Sequence, residues 1–215
     1  MHVPGVDRPI DDEEWRGFVR QQGFGHLIAP GLGRDVPVVV PTQYVFEDSV
    51  ALTHVAVVNP ILAALAERPR ALLAVAGDWA FIPSSWKAID DEDPRLGIPT
   101  TYYAAVQLTG RVEVVEDPDA LSALIGRQLR RLQGDVEVAE PAVAHRDRLA
   151  AIRGILLHVE SVHAKFKFGG NVDEAHRRAV LARLEERGTH RDAAAAAHLR
   201  RRIDGPSARY SAFRR

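Results

Sequence analysis

The chain has 215 residues, of which 46% are hydrophobic and 27% charged, and its formal net charge is −1. These values are typical of a globular chain with one substantial core, and the near-neutral charge gives no general attraction to nucleic acid or membranes. The absence of cysteine excludes disulfides, a thiolate nucleophile and cysteine-bound metal. Without a long apolar run or a leader pattern, we expect a cytoplasmic protein with no membrane association.

The N-terminal third is predicted to combine helices with several strands. Acidic residues ahead of an apolar face at helical spacing predict a short amphipathic helix over 11–22. Residues 23–46 carry strand-forming residues on both sides of a Pro/Gly turn at 30–35, and the alternating stretch ALTHVAVV (51–58) predicts a further strand. An Asn-Pro pair then favours the start of a helix over 61–69.

The central part of the chain is predicted to continue with strands on either side of a long loop. Short apolar runs predict strands at 71–76 and 78–82. The loop over 83–99 is long for a compact domain, and such loops often carry function. A long strand is predicted over 100–116, and an Asp-Pro pair starts a helix over 117–132.

The C-terminal part is predicted to hold one strand between helices. The segments are a linker at 133–141, a helix at 145–152, a strand at 154–168, helices at 172–187 and 192–202, and a loose basic tail at 203–215. The chain shows no internal repeat and no parallel βαβ rhythm. A succession of strands with inserted and appended helices predicts an antiparallel sheet or barrel with helices at its side.

Six segments stand in a recognisable order between residue 1 and about residue 187. They are MHVPG, FVRQQGFGHLIA, THVAVVNP, FIPSSWK, GIPTTYYAAVQLTGRVEVVEDPD and HAKFKFGGN. In this order they resemble the PaiB-like family, whose members are described as FMN-binding split-barrel proteins or negative transcriptional regulators. The resemblance implies an α+β fold, an antiparallel six-stranded split β-barrel with flanking and C-terminal helices. It also implies a homodimer with a cofactor cleft at the interface. We expect a cofactor-binding domain over 1–187 and a C-terminal helix with a basic tail over 188–215.

Three short stretches depart from the family pattern. The chain has Pro-Ser-Ser-Trp-Lys at 83–87, Thr-Thr-Tyr-Tyr at 100–103 and Gly-Gly-Asn at 169–171. The family usually shows Ser-Pro-Ser-Trp-Tyr, Thr-Trp-Asn-Tyr and Ser-Gln-Asn at these places. The resemblance implies that all three stretches surround the ligand. The changes fit a cofactor other than the usual flavin and leave the fold prediction untouched.

His54 interrupts an otherwise apolar strand. One interpretation is a core histidine that a neighbour hydrogen-bonds, because an unpaired buried imidazole is costly. The resemblance instead implies a place at the cofactor cleft, where a neutral imidazole would be the axial ligand of haem iron or hydrogen-bond a flavin. The mid-strand position predicts an imidazole that is held rigidly and shielded from bulk water. Asn59 also has two interpretations, as a helix cap or as part of a helix start that binds flavin phosphate.

The long loop and the strand after it supply further candidates. Ser85 and Trp86 form either an exposed turn or a wall against the face of a flavin or porphyrin. Lys87 is a candidate partner of a phosphate or propionate. Tyr102 and Tyr103 must point to opposite faces of their strand, so at most one of them lines a site directly.

The last strand carries two lysines on one face. Lys165 and Lys167 alternate with phenylalanines, which predicts either a solvated lysine face or a pair of cofactor-binding cations. Thr100 and Asn171 are predicted to bind the cofactor with them, because the resemblance implies that their segments surround the ligand.

Two functions are compatible with these residues. The first is a haem-dependent enzyme similar to the family's piperazate synthases, which cyclise the amino acid N5-hydroxyornithine by forming an N–N bond with loss of water. In that interpretation His54 binds haem b, and Lys87, Tyr102 or Tyr103 is the catalytic base. The alternative is an FMN-binding negative transcriptional regulator or a flavin-dependent oxidoreductase. The chain shows no helix-turn-helix with basic recognition residues, so we expect no specific binding of nucleic acid.

Overall fold

The computed structural model of the protein describes residues 1–134, 139, 141 and 145–205. The strands are β1 (Phe24–Ala29), β2 (Val38–Gln43), β3 (Val45–Glu47), β4 (Val50–Ala56), β5 (Arg70–Ile82), β6 (Thr100–Val115) and β7 (Ile152–Lys167). The helices are α1 (Asp12–Gln22), α2 (Ile61–Glu67), α3 (Pro118–Gln133), α4 (Arg146–Leu149), α5 (Glu174–Arg187) and α6 (Asp192–Asp204), and 3₁₀ turns cover Gly5–Asp7 and Ser84–Lys87. No helix within these described ranges is both long and apolar enough for a bilayer crossing. Most of the predicted linker and of the basic tail lies outside the described residues.

The strands form one sheet in the order β2-β1-β5-β6-β7-β4-β3. β1 pairs antiparallel with β2 and β5, and β4 pairs antiparallel with β3 and β7. Only Tyr44 separates β2 from β3, although these strands stand at opposite ends of the order. The sheet therefore curls, and the hydroxyl oxygens of Thr42 on β2 and Thr53 on β4 lie 2.6 Å apart. The predicted α+β split-barrel architecture is confirmed, with β3 as a seventh strand beyond the expected six.

Two predicted elements differ from the structure. The strands expected at 71–76 and 78–82 are one continuous strand, β5, in which Asp78 has a φ of 50°. This left-handed residue bends the strand without ending it. The helix expected at 145–152 is reduced to the four residues of α4, because Ile152 already pairs with Ala56 in the sheet.

The chain divides into two compact units. The first unit consists of Met1–Trp15, Ala76–Val106 and the chain from His163 onward. The second unit consists of Arg16–Val75 and Gln107–Val162. The boundary that we expect at residue 187, between a cofactor-binding domain and a C-terminal segment, stays a prediction.

A buried hydrophobic cluster of the second unit lies between α3 and β4. Asp117 caps α3 through a carboxylate oxygen, which accepts a hydrogen bond from the backbone N–H three residues later at 2.9 Å. Leu121 and Leu124 share one face of the helix and pack with Leu52 of β4 in a single buried cluster. This packing fixes α3 against the strand that carries His54.

A buried charged cluster ties α6 to the rest of the first unit. His198 of α6 stacks on Phe168 with ring centroids 4.5 Å apart, and its Nε2 lies 2.8 Å from a carboxylate oxygen of Asp78. Arg202, one turn later, donates a hydrogen bond to Glu14 at 2.8 Å. Only 5% of Glu14 and 7% of His198 are exposed. These charges are therefore stabilised by one another rather than by water.

Two arginines at the junction of α5 and α6 lie over tryptophan rings. The guanidinium carbon of Arg187 is 4.5 Å from the ring centre of Trp86, and that of Arg191 is 4.1 Å from the ring centre of Trp79. Arg187 also pairs at 2.6 Å with the buried carboxylate of Asp192. Two cation–π contacts and one ion pair thus stabilise the junction.

Gly110 of β6 is required by the close approach of β7. A Cβ added at this position would lie 1.8 Å from the carbonyl oxygen of His158, which is backbone and cannot turn away. We expect Gly110→Ala to lower the free energy of unfolding by about 2–3 kcal/mol, as overpacking of a core does. Urea denaturation measures this loss.

Gly126→Ala on α3 is the matched control for that substitution. Its added Cβ would meet the flexible end of Arg130 at 3.2 Å, and alanine is the better helix former by roughly 0.5–1 kcal/mol. Equal stability of the two alanine variants would contradict the account of Gly110.

Candidate functional site

His54 lies among the outward-facing residues of β4. Thr53 and Val55 on either side of it are buried, whereas His54 and Ala56 are exposed. The expectation that this imidazole is shielded from bulk water is therefore wrong. By the alternation of β4 it shares a face with Leu52, which is buried under α3, so the exposure of His54 places it at the margin of that buried cluster.

One nitrogen of this imidazole is nevertheless held in place. Nδ1 of His54 lies 2.8 Å from Oε1 of Gln128, a buried residue of α3. The other nitrogen, Nε2, has no hydrogen-bond partner among the described residues. An imidazole with one nitrogen anchored and the other open has the arrangement of a metal-binding histidine.

The first unit contains a pocket of about 930 Å³. The three lysines of the chain all line this pocket. The other permanently charged basic side chains of the chain are arginines. Buried lysine can lose its proton, and arginine cannot. The pocket therefore gathers the only lysine amines that the chain has, which favours a role that depends on proton transfer.

Lys87 is the lysine whose proton affinity is changed most clearly. Burial, followed by the positive charge of Lys167, lowers the pKa of the Lys87 ammonium below its ordinary value. Neither lysine forms an ion pair with a carboxylate among the described residues. Two such ammonium groups in one pocket favour an anionic ligand, and the lowered pKa makes Lys87 the candidate general base.

Further polar contacts in the pocket orient Lys165 and Lys167. Lys167 donates a hydrogen bond to the hydroxyl of Thr100 at 2.6 Å. The ammonium of Lys165 lies 3.5 Å from the Asp7 carboxylate and 5.8 Å from the ring centre of Tyr103. Phe166, between the two lysines, is fully buried, which confirms that they share the opposite face of β7.

Tyr102 lies below this pocket rather than on its wall. Only 1% of the residue is exposed, and its hydroxyl has no hydrogen-bond partner among the described residues. Burial raises the pKa of the phenol to about 12, against an opposing effect of Arg177. Tyr102 therefore keeps its proton near neutral pH and suits the role of a donor better than that of a base.

The structure brings together one part of the predicted site. The residues on the pocket wall are Lys87, Thr100, Lys165, Lys167 and Asn171. Ser85 and Trp86 lie on the turn that precedes Lys87, and Trp86 is covered by Arg187. His54 and Asn59 belong to the second unit. The side-chain oxygen of Asn59 accepts a hydrogen bond from the backbone N–H of Ile61 at 3.0 Å, which is the contact of a helix cap.

Sequence reasoning missed three residues of these two sites. Gln128 contacts His54, Asp7 pairs with Lys165, and His176 lines the pocket. A hydrogen bond to Asp173, opposed by burial and assisted by Glu92, raises the pKa of His176. A signal existed only for Gln128, which is a polar residue on the apolar face of a predicted helix.

Removing the charge of Lys167 should raise the pKa of Lys87. In Lys167→Met the repulsion between the two ammonium groups is lost while the burial of Lys87 remains, so its pKa should return only part of the way to the ordinary value. Carbon-13 NMR of isotope-labelled lysine side chains measures this pKa. The chain has three lysines, so the spectrum is simple. Lys165→Met is the control and should leave the titration of Lys87 unchanged. An unchanged titration in Lys167→Met would contradict the assigned repulsion.

The sequence profile of the family described as "Putative FMN-binding domain" matches residues 1–161. This match covers most of the chain, and the protein belongs to that family. This match, together with the similarity to the PAI 2 protein described next, confirms the resemblance to the PaiB-like proteins.

A curated relative and two solved structures are similar to the chain. Protease synthase and sporulation protein PAI 2 of Bacillus subtilis (strain 168) is 23% identical over 192 residues, which cover 86% of this chain and 89% of that protein. The flavocytochrome Anf3 from Azotobacter vinelandii has a TM-score of 0.58 and 19% identity, over 80% of this chain and 75% of that one. The FAD and haem binding protein from Mycobacterium smegmatis has a TM-score of 0.58 and 18% identity, over 80% and 78%. At such identities the two structures show the fold alone.

Proposed function

We propose that the protein is a haem-dependent enzyme that cyclises N5-hydroxyornithine to piperazate by forming an N–N bond with loss of water. The observation that carries the proposal is the imidazole of His54, which is exposed, anchored at Nδ1 by Gln128 and open at Nε2. A flavin needs no such residue, whereas haem iron needs an axial ligand of this kind.

The residues present fit a haem. The nitrogen of His54, in the second unit, is a suitable donor for iron. The ammonium groups of the lysine pocket, in the first unit, suit the carboxylate of an amino acid. Two solved structures of the same fold are named as a flavocytochrome and as an FAD and haem binding protein, which supports the capacity of the fold for haem.

The proposed reaction makes a limited demand on the chain's own residues. When bound, a haem would supply a Lewis acid for the hydroxylamine oxygen. Lys87, with its lowered pKa, would accept a proton from the substrate's α-ammonium and free the amine's electron pair. The N–O bond breaks as the N–N bond forms, and the oxygen leaves as water. The overall change is a dehydration, so no external oxidant or reductant is consumed.

A second candidate is FMN binding in an oxidoreductase or a PaiB-like regulator. It is favoured by the family to which the chain belongs and by the lysine pocket, whose ammonium groups also suit a flavin phosphate. In this alternative His54 hydrogen-bonds the flavin or has no part in binding.

The absorption spectrum of the purified protein, before and after addition of haem or FMN, distinguishes the two candidates. A stoichiometric Soret band supports the haem proposal, and paired flavin bands without haem uptake would overturn it. The haem-loaded protein is then incubated with N5-hydroxyornithine, and mass spectrometry follows the product. If the protein binds haem but does not remove water from this substrate, it is a haem protein and the proposed N–N bond-forming activity is wrong. The resemblance also supports a homodimer, which light scattering measures.

A further inference from the structure

Gln128 is a polar residue on the apolar face of α3. It follows Leu121 and Leu124 at helical spacing, on the face that packs against β4. Only 4% of the residue is exposed. Burying an amide on such a face costs free energy unless hydrogen bonds compensate, so its two contacts with β4 need an explanation.

The first of these contacts fixes the orientation of the amide. The side-chain nitrogen of Gln128 donates a hydrogen bond to the backbone carbonyl of Leu52 at 3.3 Å. A carbonyl oxygen can only accept, so the NH₂ end of the amide must face Leu52 and the oxygen must face the other way.

The second contact then fixes the tautomer of the histidine. The amide oxygen of Gln128 faces Nδ1 of His54 at 2.8 Å, and it too can only accept. Nδ1 must therefore carry the hydrogen. In the neutral imidazole this leaves the electron pair on Nε2, the nitrogen that has no hydrogen-bond partner among the described residues.

We propose that Gln128 is a positioning residue that holds His54 in the Nδ1–H tautomer and so makes Nε2 an electron-pair donor on an exposed face. The use of that donor toward haem iron rests on the proposed function, whereas the tautomer itself does not. Free histidine prefers the opposite tautomer, so an imidazole without Gln128 would present a hydrogen in place of an electron pair for most of the time. Rigid anchoring through the backbone of the same strand also limits rotation of the ring.

The primary test is nitrogen-15 NMR of the haem-free, full-length protein at alkaline pH. Long-range correlations between ring protons and nitrogens distinguish the tautomers. The unaltered chain should show Nδ1–H at His54. Gln128→Leu should shift it toward Nε2–H, whereas Gln128→Glu, which keeps an acceptor oxygen, should retain Nδ1–H. Nε2–H in the unaltered chain, or an unchanged tautomer in Gln128→Leu, would overturn the inference.

Ser122→Ala provides a matched control on the same helix. Ser122 is 3% exposed, and its hydroxyl has no hydrogen-bond partner among the described residues, so its loss should alter neither the tautomer nor folding. Circular dichroism of each variant shows whether the fold is retained. A tautomer change in Ser122→Ala as large as that in Gln128→Leu would show a general disturbance of α3 and overturn the specific role of Gln128.

Haem titration separates this inference from the proposed function. Loss of the hydrogen bond to a metal-binding histidine typically lowers metal affinity about 10- to 100-fold, and the haem affinity of Gln128→Leu should fall by a factor in that range. Gln128→Glu should bind haem with a lower reduction potential, because a carboxylate makes the imidazole a stronger electron donor. If the tautomer responds as expected but no variant binds haem, the proposed function fails and the positioning role stands. If haem binds through His54 but Gln128→Leu changes neither tautomer nor affinity, the positioning role fails alone.

Discussion

Haem affinity should fall about a hundred-fold or more when His54 is replaced by alanine, and the Soret band of the haem that still binds should shift. The reason is the loss of the Nε2 nitrogen of His54, which the proposed function assigns to the iron and which the contact at Nδ1 leaves open. Titration with haem, followed by absorption spectroscopy, measures both effects. Any N–N bond-forming activity should fall with the bound haem.

His26→Ala is the matched control for this substitution. His26 is also an exposed histidine on a strand, β1, and no function is assigned to it. Its replacement should leave haem affinity and spectrum unchanged. If His54→Ala binds haem with the unaltered spectrum, or if both variants lose haem equally, His54 is not the axial ligand.

Replacing Arg202 with leucine should lower the free energy of unfolding by about 3–5 kcal/mol. The Arg202 and Glu14 side chains are only 8% and 3% exposed, and removal of one partner leaves a buried carboxylate with too little compensation. Leucine preserves apolar contact with Phe166 and Phe168, over which the guanidinium lies. Urea denaturation monitored by circular dichroism measures the loss.

The control for this ion pair is one of similar chemistry on the surface. Arg178 pairs with Glu174 at 2.7 Å, but both side chains are more than half exposed, so Arg178→Ala should cost less than about 1 kcal/mol. Comparable losses in the two variants would contradict the importance of burial. So would a change in Arg202→Leu within the error of the control.

The same cluster predicts how stability depends on pH. Burial would raise the pKa of Glu14, but the imidazole of His198 beside it and the hydrogen bonds from Arg202 outweigh this effect and lower the pKa to about 2 from an ordinary 4.5. The contribution of Glu14 to the free energy of unfolding is present above pH 4.5 and is lost as the pH falls toward 2. Burial lowers the pKa of His198, but Asp78 and Glu14 outweigh it and raise the pKa above 6.5. That contribution is present below pH 6.5 and is lost as the pH rises through the raised value. Both contributions are therefore complete between pH 4.5 and 6.5.

The parts of the fold that depend on local patterns follow from the sequence. An Asp-Pro pair predicts the start of α3, and alternating apolar residues predict β6 and β7, because caps and alternation act between near neighbours. The sequence predicts two strands in place of β5, because a short polar interruption resembles a turn. In the structure the strand continues through this interruption, because a single residue, Asp78, takes a left-handed conformation.

The site was only partly predictable for a similar reason. The shared face of Lys165 and Lys167 follows from alternation along one strand. Alternation also places His54 on one face of β4, but it does not say whether another element covers that face. The contact between His54 and Gln128 joins residues 74 positions apart, and only the packing of α3 on β4 creates it.

The fluorescence of Trp79 and Trp86, which lie under arginine side chains, can report on the binding of a ligand. The chain has three tryptophans, and Trp86 immediately precedes Lys87 on the turn beside the lysine pocket. Its ring is covered by Arg187, the last residue of α5, while Trp79 lies under Arg191. A molecule that enters the pocket and displaces Lys87 must disturb the ring next to it. Intrinsic fluorescence can therefore follow ligand entry, without a dye or label, in the same sample that is used for absorption.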